Sequence, residues 1–323
     1  MKIIPLLFSL FLLALLIYFS DVAKILDILT RVDLIFVGLG LAVWFLGAVI
    51  RTFRWRYLLR HVNVNVSFLK CLKVLVSGIF IANLTPGKTG EPVRSLLLKN
   101  ETGDSLSVTL PSIFFERVFD ILSMIAISLI GLVFITAMIG EIYFWFSIAI
   151  GAYVILFLII IFIASSESRT KRFIGWGCSV FSFIPKIREI GNRLDDFSPN
   201  FHNSFRTYKN FRVTLVAIFY SFIIWILEGI VLYIASLALG LNITLLSAVA
   251  IISIATLISV ITFLPGGIGS SEIIMVLLIS SIFAFSLPEI TTAVLLARIL
   301  AFWMYAFFGI IFMNLLKSNN RYL

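Results

Sequence analysis

Two stretches decide how this chain is built: Asn83-Leu-Thr-Pro-Gly-Lys-Thr-Gly-Glu91 and Pro265-Gly-Gly-Ile-Gly-Ser-Ser-Glu272. The first closes the apolar stretch Val74–Gly87, which is too short to cross a bilayer comfortably. The second interrupts a long hydrophobic run. Aligned, they read Pro86-Gly87-x-x-Gly90-Glu91 and Pro265-Gly266-x-x-Gly269-x-x-Glu272. Each follows an apolar helix, breaks it with Pro-Gly, and restarts a helix with a Glu in its first turns. One motif lies in each half of the chain, which makes a weak internal repeat. Helices broken at matching places in two halves point to a transport site. The break residues are Pro86, Gly87 and Gly90 in one half, and Pro265, Gly266, Gly267 and Gly269 in the other.

The surroundings of these breaks are lipid-soluble. Of 323 residues, 61% are hydrophobic and 13% charged, with a mean hydropathy of +1.13. Soluble domains average about 45–50% apolar and about 25% charged, so a soluble fold cannot hide this much apolar surface. That excludes a cytosolic enzyme, a disulfide scaffold and a disordered chain. Long uncharged stretches mark Ile3–Phe19 (an uncleaved span), Leu34–Ile50, the hairpin arms Ile121–Gly140 and Ile142–Ser166, and Val213–Leu239. Gly229–Ser271 carries no charge at all, and Ile273–Pro288 and Ile290–Leu316 follow. The expected fold is an all-α polytopic membrane protein forming one domain over residues 1–323. It has about eight membrane helical elements, two of them broken or re-entrant helix pairs in an inverted repeat. Leu246–Phe263 and Ile268–Phe285 are each long enough to cross fully, so length alone leaves re-entrant pairs and full spans both open.

Loop charge sets the orientation. Arg51–Lys73 holds six Lys/Arg and Ser165–Arg212 holds nine, whereas Glu141, Gly240–Leu245 and Leu287–Glu289 hold none. Both termini are therefore expected in the cytoplasm, in a multi-pass protein of the plasma membrane. Within 165–212, Ile187, Ile190, Leu194 and Phe197 repeat at helical spacing, as do Phe201, Phe205, Tyr208 and Phe211. This reads as a cytoplasmic amphipathic segment lying on the inner leaflet. The net charge of +9 is assigned to topology and anionic headgroups, not to nucleic acid.

Charge inside a bilayer costs about 2.5–3.5 kcal/mol per residue on insertion scales, so charged residues persist there when paired or functional. The candidates are Glu91, Arg94, Glu116, Arg117, Asp120, Glu228, Glu272 and Arg298. Arg117 and Asp120, three apart, share a helix face, leaving Glu116 to find another cation such as Arg94. Glu228 and Arg298 fall at similar depths and are expected to form an intramembrane ion pair. Lys88 and Arg94 flank the first break, where a helix N-terminus and basic side chains suit a lipid phosphate. The alternative there is an interfacial turn with positive-inside charges. Ala82-x-x-x-x-Gly87-Lys88-Thr89 mimics a nucleotide loop but lacks the βαβ context. Cys71, Cys178, His61 and His202 are scattered, so no metal site is expected.

Four motifs in order carry a resemblance over nearly the whole chain. They are Asn83–Arg94, Glu116-Arg-Val-Phe-Asp120, Leu264-Pro-Gly-Gly-Ile-Gly269 with Glu272, and Ala297-Arg-Ile-Leu-Ala-Phe-Trp303. The chain resembles the integral-membrane flippase region of the lysylphosphatidylglycerol synthases and stand-alone flippase-like proteins of bacteria and archaea. The resemblance implies movement of a modified phospholipid between leaflets. It does not imply lysyl transfer, because the soluble transferase domain of the synthases has no counterpart here. The expected protein is a non-enzymatic lipid flippase with no cofactor. Lys88 and Arg94 would hold phosphate, Glu91 and Glu272 would meet a cationic or hydroxyl-bearing headgroup, and Glu116, Arg117 and Asp120 would organise the entrance. Its partners would be membrane lipids, whether anionic, aminoacylated or polyprenyl-phosphate-linked, with homo-oligomerisation open. The alternatives are a membrane-embedded transferase using Glu116 or Asp120 as base, and a scaffold for a separate synthase.

Overall fold

A computed structural model describes residues 4–139 and 210–319 and isolated positions between them. Apart from those positions, the expected span Ile142–Ser166 and the amphipathic segment 165–212, with Cys178 and His202, lie outside the described residues. The described secondary structure is helical. In chain order it comprises α1 (Ile4–Phe19), α2 (Val22–Thr30), α3 (Leu34–His61), α4 (Phe68–Asn83), α5 (Val93–Thr102) and α6 (Leu106–Ile139). Then follow α7 (Phe211–Leu237), α8 (Leu245–Ile261), α9 (Ser270–Ile282), α10 (Leu287–Arg298), a π-helical turn (Ile299–Trp303) and α11 (Met304–Asn319).

Helix starts follow side-chain caps that satisfy otherwise orphaned N–H groups. Asp33 accepts from Ile35 N at 2.8 Å, Asn210 from Arg212 N at 3.0 Å, and Thr244 from Ser247 N at 3.1 Å. Glu289 turns back to accept from Ser286 N at 2.8 Å. Gly103, in the left-handed region at φ +81°, ends α5.

Four helical stretches are long and apolar enough to cross a membrane: Leu34–His61, Leu106–Phe134, Phe211–Leu237 and Leu287–Leu316. A fifth would be α1 with α2, bent 80° between them. Three boundaries differ from expectation. The second span does not stop at Ile50 but runs to His61, because Arg51 and Arg54 find carboxylates on neighbouring helices. Leu106–Ile139 is one helix, so the Glu116–Asp120 cluster is helix interior. Ile273–Pro288 is no separate span: α9 starts at Ser270 and ends at Ile282, 13 residues covering about 20 Å at 1.5 Å per residue.

The internal repeat extends far beyond the two breaks. Helices α3 and α7, α4 and α8, and α5 and α9 start at Leu34 and Phe211, Phe68 and Leu245, and Val93 and Ser270, so all three pairs share one offset along the chain. α6 and α10, starting at Leu106 and Leu287, are offset by about one helical turn more. The halves embrace reciprocally: α3 packs on α7, α4 of the first half packs on α11 of the second, and α8 of the second packs on α6 of the first. Both crossings need a glycine. A Cβ at Gly131 would stand 2.2 Å from Ala250 Cβ, and one at Gly309 would stand 2.4 Å from Phe80 Cβ. The breaks meet each other, pairing antiparallel at Pro86 and Pro265. Equivalent residues touching in this way is the pattern of an approximate two-fold axis between the halves.

Candidate functional site: a central charged cavity

Where the two breaks meet, the backbone turns through the left-handed region in both halves. Gly87 and Lys88 each have φ +58°; their counterparts Gly266 and Gly267 have +58° and +66°. The second half uses glycine twice, the conformation's natural residue. The first half holds a lysine there, a non-glycine conformation that costs on the order of 1–3 kcal/mol and clusters at functional sites.

Beside the breaks lies a cavity of about 120 Å³, lined from both halves. Four cations reach it, Arg51, Lys88, Arg117 and Arg298, against the carboxylates Glu91 and Glu228. The repeat shows again in their pairing. Glu91 beside the first break binds Arg117 on α6, Nε to Oε2 2.6 Å, and Glu272 beside the second binds Arg298 on α10, Nε to Oε1 2.5 Å. In both pairs the acid precedes its arginine by the same spacing along the chain. Arg298 also donates to Gly266 O at 3.0 Å and covers the Phe302 ring, and Glu272 accepts from Gly269 N at 2.7 Å, so this pair locks the second break. Arg51 bonds Glu228, each at the same position counted from the start of its helix, and donates to Tyr305 Oη at 3.1 Å. After Pro86 and Pro265, a second pair of equivalent positions thus meets across the axis.

The first half has a further buried network behind the cavity. Arg54 bonds Asp120, Glu116 (Nε to Oε1 3.2 Å) and Ser221 Oγ at 2.6 Å. Arg94 binds Glu116 and lies over the Trp55 ring at 4.5 Å, and Arg117 reaches Asp120 at 3.4 Å. Arg54, Glu116, Asp120 and Arg94 are at most 3% exposed. Buried charges of this kind are stable when every partner is present and costly when one is removed.

Several expectations meet this geometry directly. Arg94 with Glu116 and Arg117 with Asp120 pair as anticipated. The Glu228–Arg298 pair does not form: Arg51 takes Glu228 and Glu272 takes Arg298. Matching depths is sound in principle, but a second span ended at Ile50 stops one residue before the arginine that sits closest to Glu228. Arg94 is enclosed by Glu116 and Trp55 and is not among the cavity-lining residues, unlike Lys88. Glu272, 3% exposed, acts inward as a helix cap. The Gly87–Lys88–Thr89 element joins two helices, so the nucleotide-loop likeness has no strand before it. Sequence reasoning misses Arg51 and Arg54, and also the cavity-lining Trp225, Thr256, Ser259 and Ser271. The signal for the arginines is an imbalance, five candidate acids against three bases.

Comparison with known proteins agrees with this architecture. The chain is 28% identical to a UPF0104 membrane protein of Methanothermobacter thermautotrophicus, over 88% of this chain and 86% of that one. It is 24% identical to a UPF0104 membrane protein of Pyrococcus horikoshii, over 96% and 94%. A third relative, a UPF0104 membrane protein of Methanocaldococcus jannaschii, is 29% identical over 75% of this chain and 96% of its own length. The sequence model described as the lysylphosphatidylglycerol synthase TM region matches residues 2–309. This integral membrane protein, with its two halves closing around a charged cavity, belongs to the lysylphosphatidylglycerol synthase TM region family.

Proposed function

We propose that this protein moves a phosphate-bearing lipid between the leaflets of the plasma membrane, by opening the central cavity to each side in turn. The observation that carries the reading is Lys88: among the described residues it is the cavity cation without a carboxylate partner, in a strained backbone conformation at the meeting point of the two breaks. A lysine ammonium is a compact point charge that binds phosphate oxygens well. In this reading the phosphate enters the cavity, while the acyl chains stay in lipid.

In this reading α4–α5 and α8–α9 are re-entrant pairs that enter from opposite faces and touch at Pro86 and Pro265. Their lengths support it. α4 and α8, at 16 and 17 residues, cover about 24–26 Å at 1.5 Å per residue, short of a hydrocarbon core of about 30 Å. Counting α1, α3, α6, the stretch 142–166, α7 and α10–α11 with the two pairs makes eight membrane elements. Both termini would be cytoplasmic, by loop charge. No chemical step is required of the protein. The test is reconstitution of this protein alone into liposomes carrying a fluorescent phospholipid in both leaflets. Dithionite from outside should quench about half of the signal in empty vesicles and nearly all of it in loaded ones. Equal quenching in both would refute the reading.

A further inference from the structure

The repeat supplies an internal control for what the cavity recognises. Four first-half positions form the buried ion network: Arg54, Arg94, Glu116 and Asp120. Their second-half equivalents are Val231, counted from the helix start, and Met275, Ala297 and Ala301, counted in the register that matches Glu91 with Glu272; all four line the cavity. The cavity therefore occupies, in the second half, the space that ion pairs fill in the first. Its α8 wall presents Thr256 and Ser259, joined by Ser271 at the start of α9. The α4 equivalents of Thr256 and Ser259 are Ile79 and Ala82, which line the opposite wall and are apolar. The fold thus accepts apolar residues at both places, and the hydroxyls are not needed to build the helix.

Those hydroxyl protons are already committed. Thr256 Oγ1 donates to Ile252 O at 2.7 Å, Ser259 Oγ to Thr256 O at 2.9 Å, and Ser271 Oγ to Glu272 Oε2 at 3.1 Å. Each oxygen keeps lone pairs able to accept from O–H groups of a ligand. Trp225 lines the same cavity, is 5% exposed, and its indole N–H has no acceptor among the described residues. A buried donor of that kind calls for an acceptor.

Charge decides the rest. The cavity and its network hold six cations (Arg51, Arg54, Lys88, Arg94, Arg117, Arg298) and five carboxylates (Glu91, Glu116, Asp120, Glu228, Glu272). Each of these carboxylates is held by an arginine, and one positive charge is left over, on Lys88. A phosphodiester carries one negative charge. An ammonium would enter beside four cations, with no carboxylate among the cavity-lining described residues free to receive it.

We propose that the cavity selects a monoanionic phosphodiester whose headgroup bears neutral hydroxyls, a polyol or sugar phosphate, over headgroups bearing an ammonium. This rests on the lipid-transport reading above and adds its substrate class.

The experiment uses the reconstituted full chain and acyl-labelled phosphatidylglycerol, phosphatidylinositol, phosphatidylmethanol, phosphatidylethanolamine and lysyl-phosphatidylglycerol, each followed by dithionite quenching. The first two should move at least about tenfold faster than the two ammonium-bearing lipids, the scale of discrimination one lost hydrogen-bonded contact gives. Phosphatidylmethanol has the phosphodiester without the hydroxyls. The rate ratio of phosphatidylglycerol to phosphatidylmethanol should exceed one in the wild type and fall to about one in a Thr256→Val, Ser259→Ala double variant. Ser271→Ala gives a second variant should that one fail to fold. Equal rates for phosphatidylglycerol and lysyl-phosphatidylglycerol, or an unchanged ratio in the folded variants, would overturn this inference while transport itself stood. Quenching of none of the lipids would overturn both readings. Uptake of radiolabelled glycerol 1-phosphate by the same vesicles would assign the site to a free polyol phosphate and overturn the lipid assignment.

Discussion

Lys88 sits where its repeat partner is glycine, and the backbone shows why glycine is the easier choice. At φ +58° a side chain crowds the following carbonyl. Lys88→Gly should therefore keep the fold and raise its unfolding free energy by about 1 kcal/mol, read as an upward shift of the thermal midpoint in detergent. A drop in the midpoint would mean that the ammonium is structural. Arg94 is the opposite case. Arg94→Ala leaves Glu116 short of a partner at 0% exposure and should destabilise by about 3–5 kcal/mol. It should give poor yields of folded protein, unlike a clean loss of transport. The sequence puts both residues beside the break correctly, but proximity along the chain does not tell which of them faces the cavity. That depends on how α5 packs against Trp55 and α6.

Among the elements, α3 teaches most. Its first half is apolar, and its second carries Arg51, Arg54, Arg56 and Arg60. A hydropathy criterion ends such a helix at the first arginine, whereas the helix continues to His61 and the chain turns away at Asn63, at φ +61°. The continuation is stabilised by carboxylates 62 to 177 residues away, which local pattern cannot reveal. The broken pairs α4–α5 and α8–α9 are legible because Pro and Gly act locally on the backbone. The pairing of α3 with α7 can be checked by a double-mutant cycle. Arg51→Gln and Glu228→Gln should each cost about 3 kcal/mol, and the double variant should recover at least about 1 kcal/mol of their sum. Glu228→Gln combined with Arg298→Gln should instead be additive within about 0.5 kcal/mol. The reverse pattern of coupling would reinstate a Glu228–Arg298 pair.

For the whole molecule, two quasi-equivalent halves meet at two pairs of matching positions, Pro86 with Pro265 and Arg51 with Glu228, and part around a central cavity. The sequence discloses the repeat only at the Pro-Gly breaks, since apolar helices exchange Leu, Ile, Val and Phe freely and keep little detectable similarity. The orientation of the halves leads to a labelling prediction. In a variant freed of Cys71 and Cys178, Asn242→Cys should react with an impermeant maleimide outside intact cells and Asn63→Cys should not. Reaction at position 63 alone would invert the whole molecule. The central claim, that an anionic headgroup passes the cavity on Lys88, is tested most directly by leaflet-resolved transport of phosphatidylglycerol in liposomes holding either the wild type or folded Lys88→Gly. Losing one charge-assisted contact should slow transport by at least about tenfold. Transport by the folded glycine variant at the wild-type rate would contradict the account.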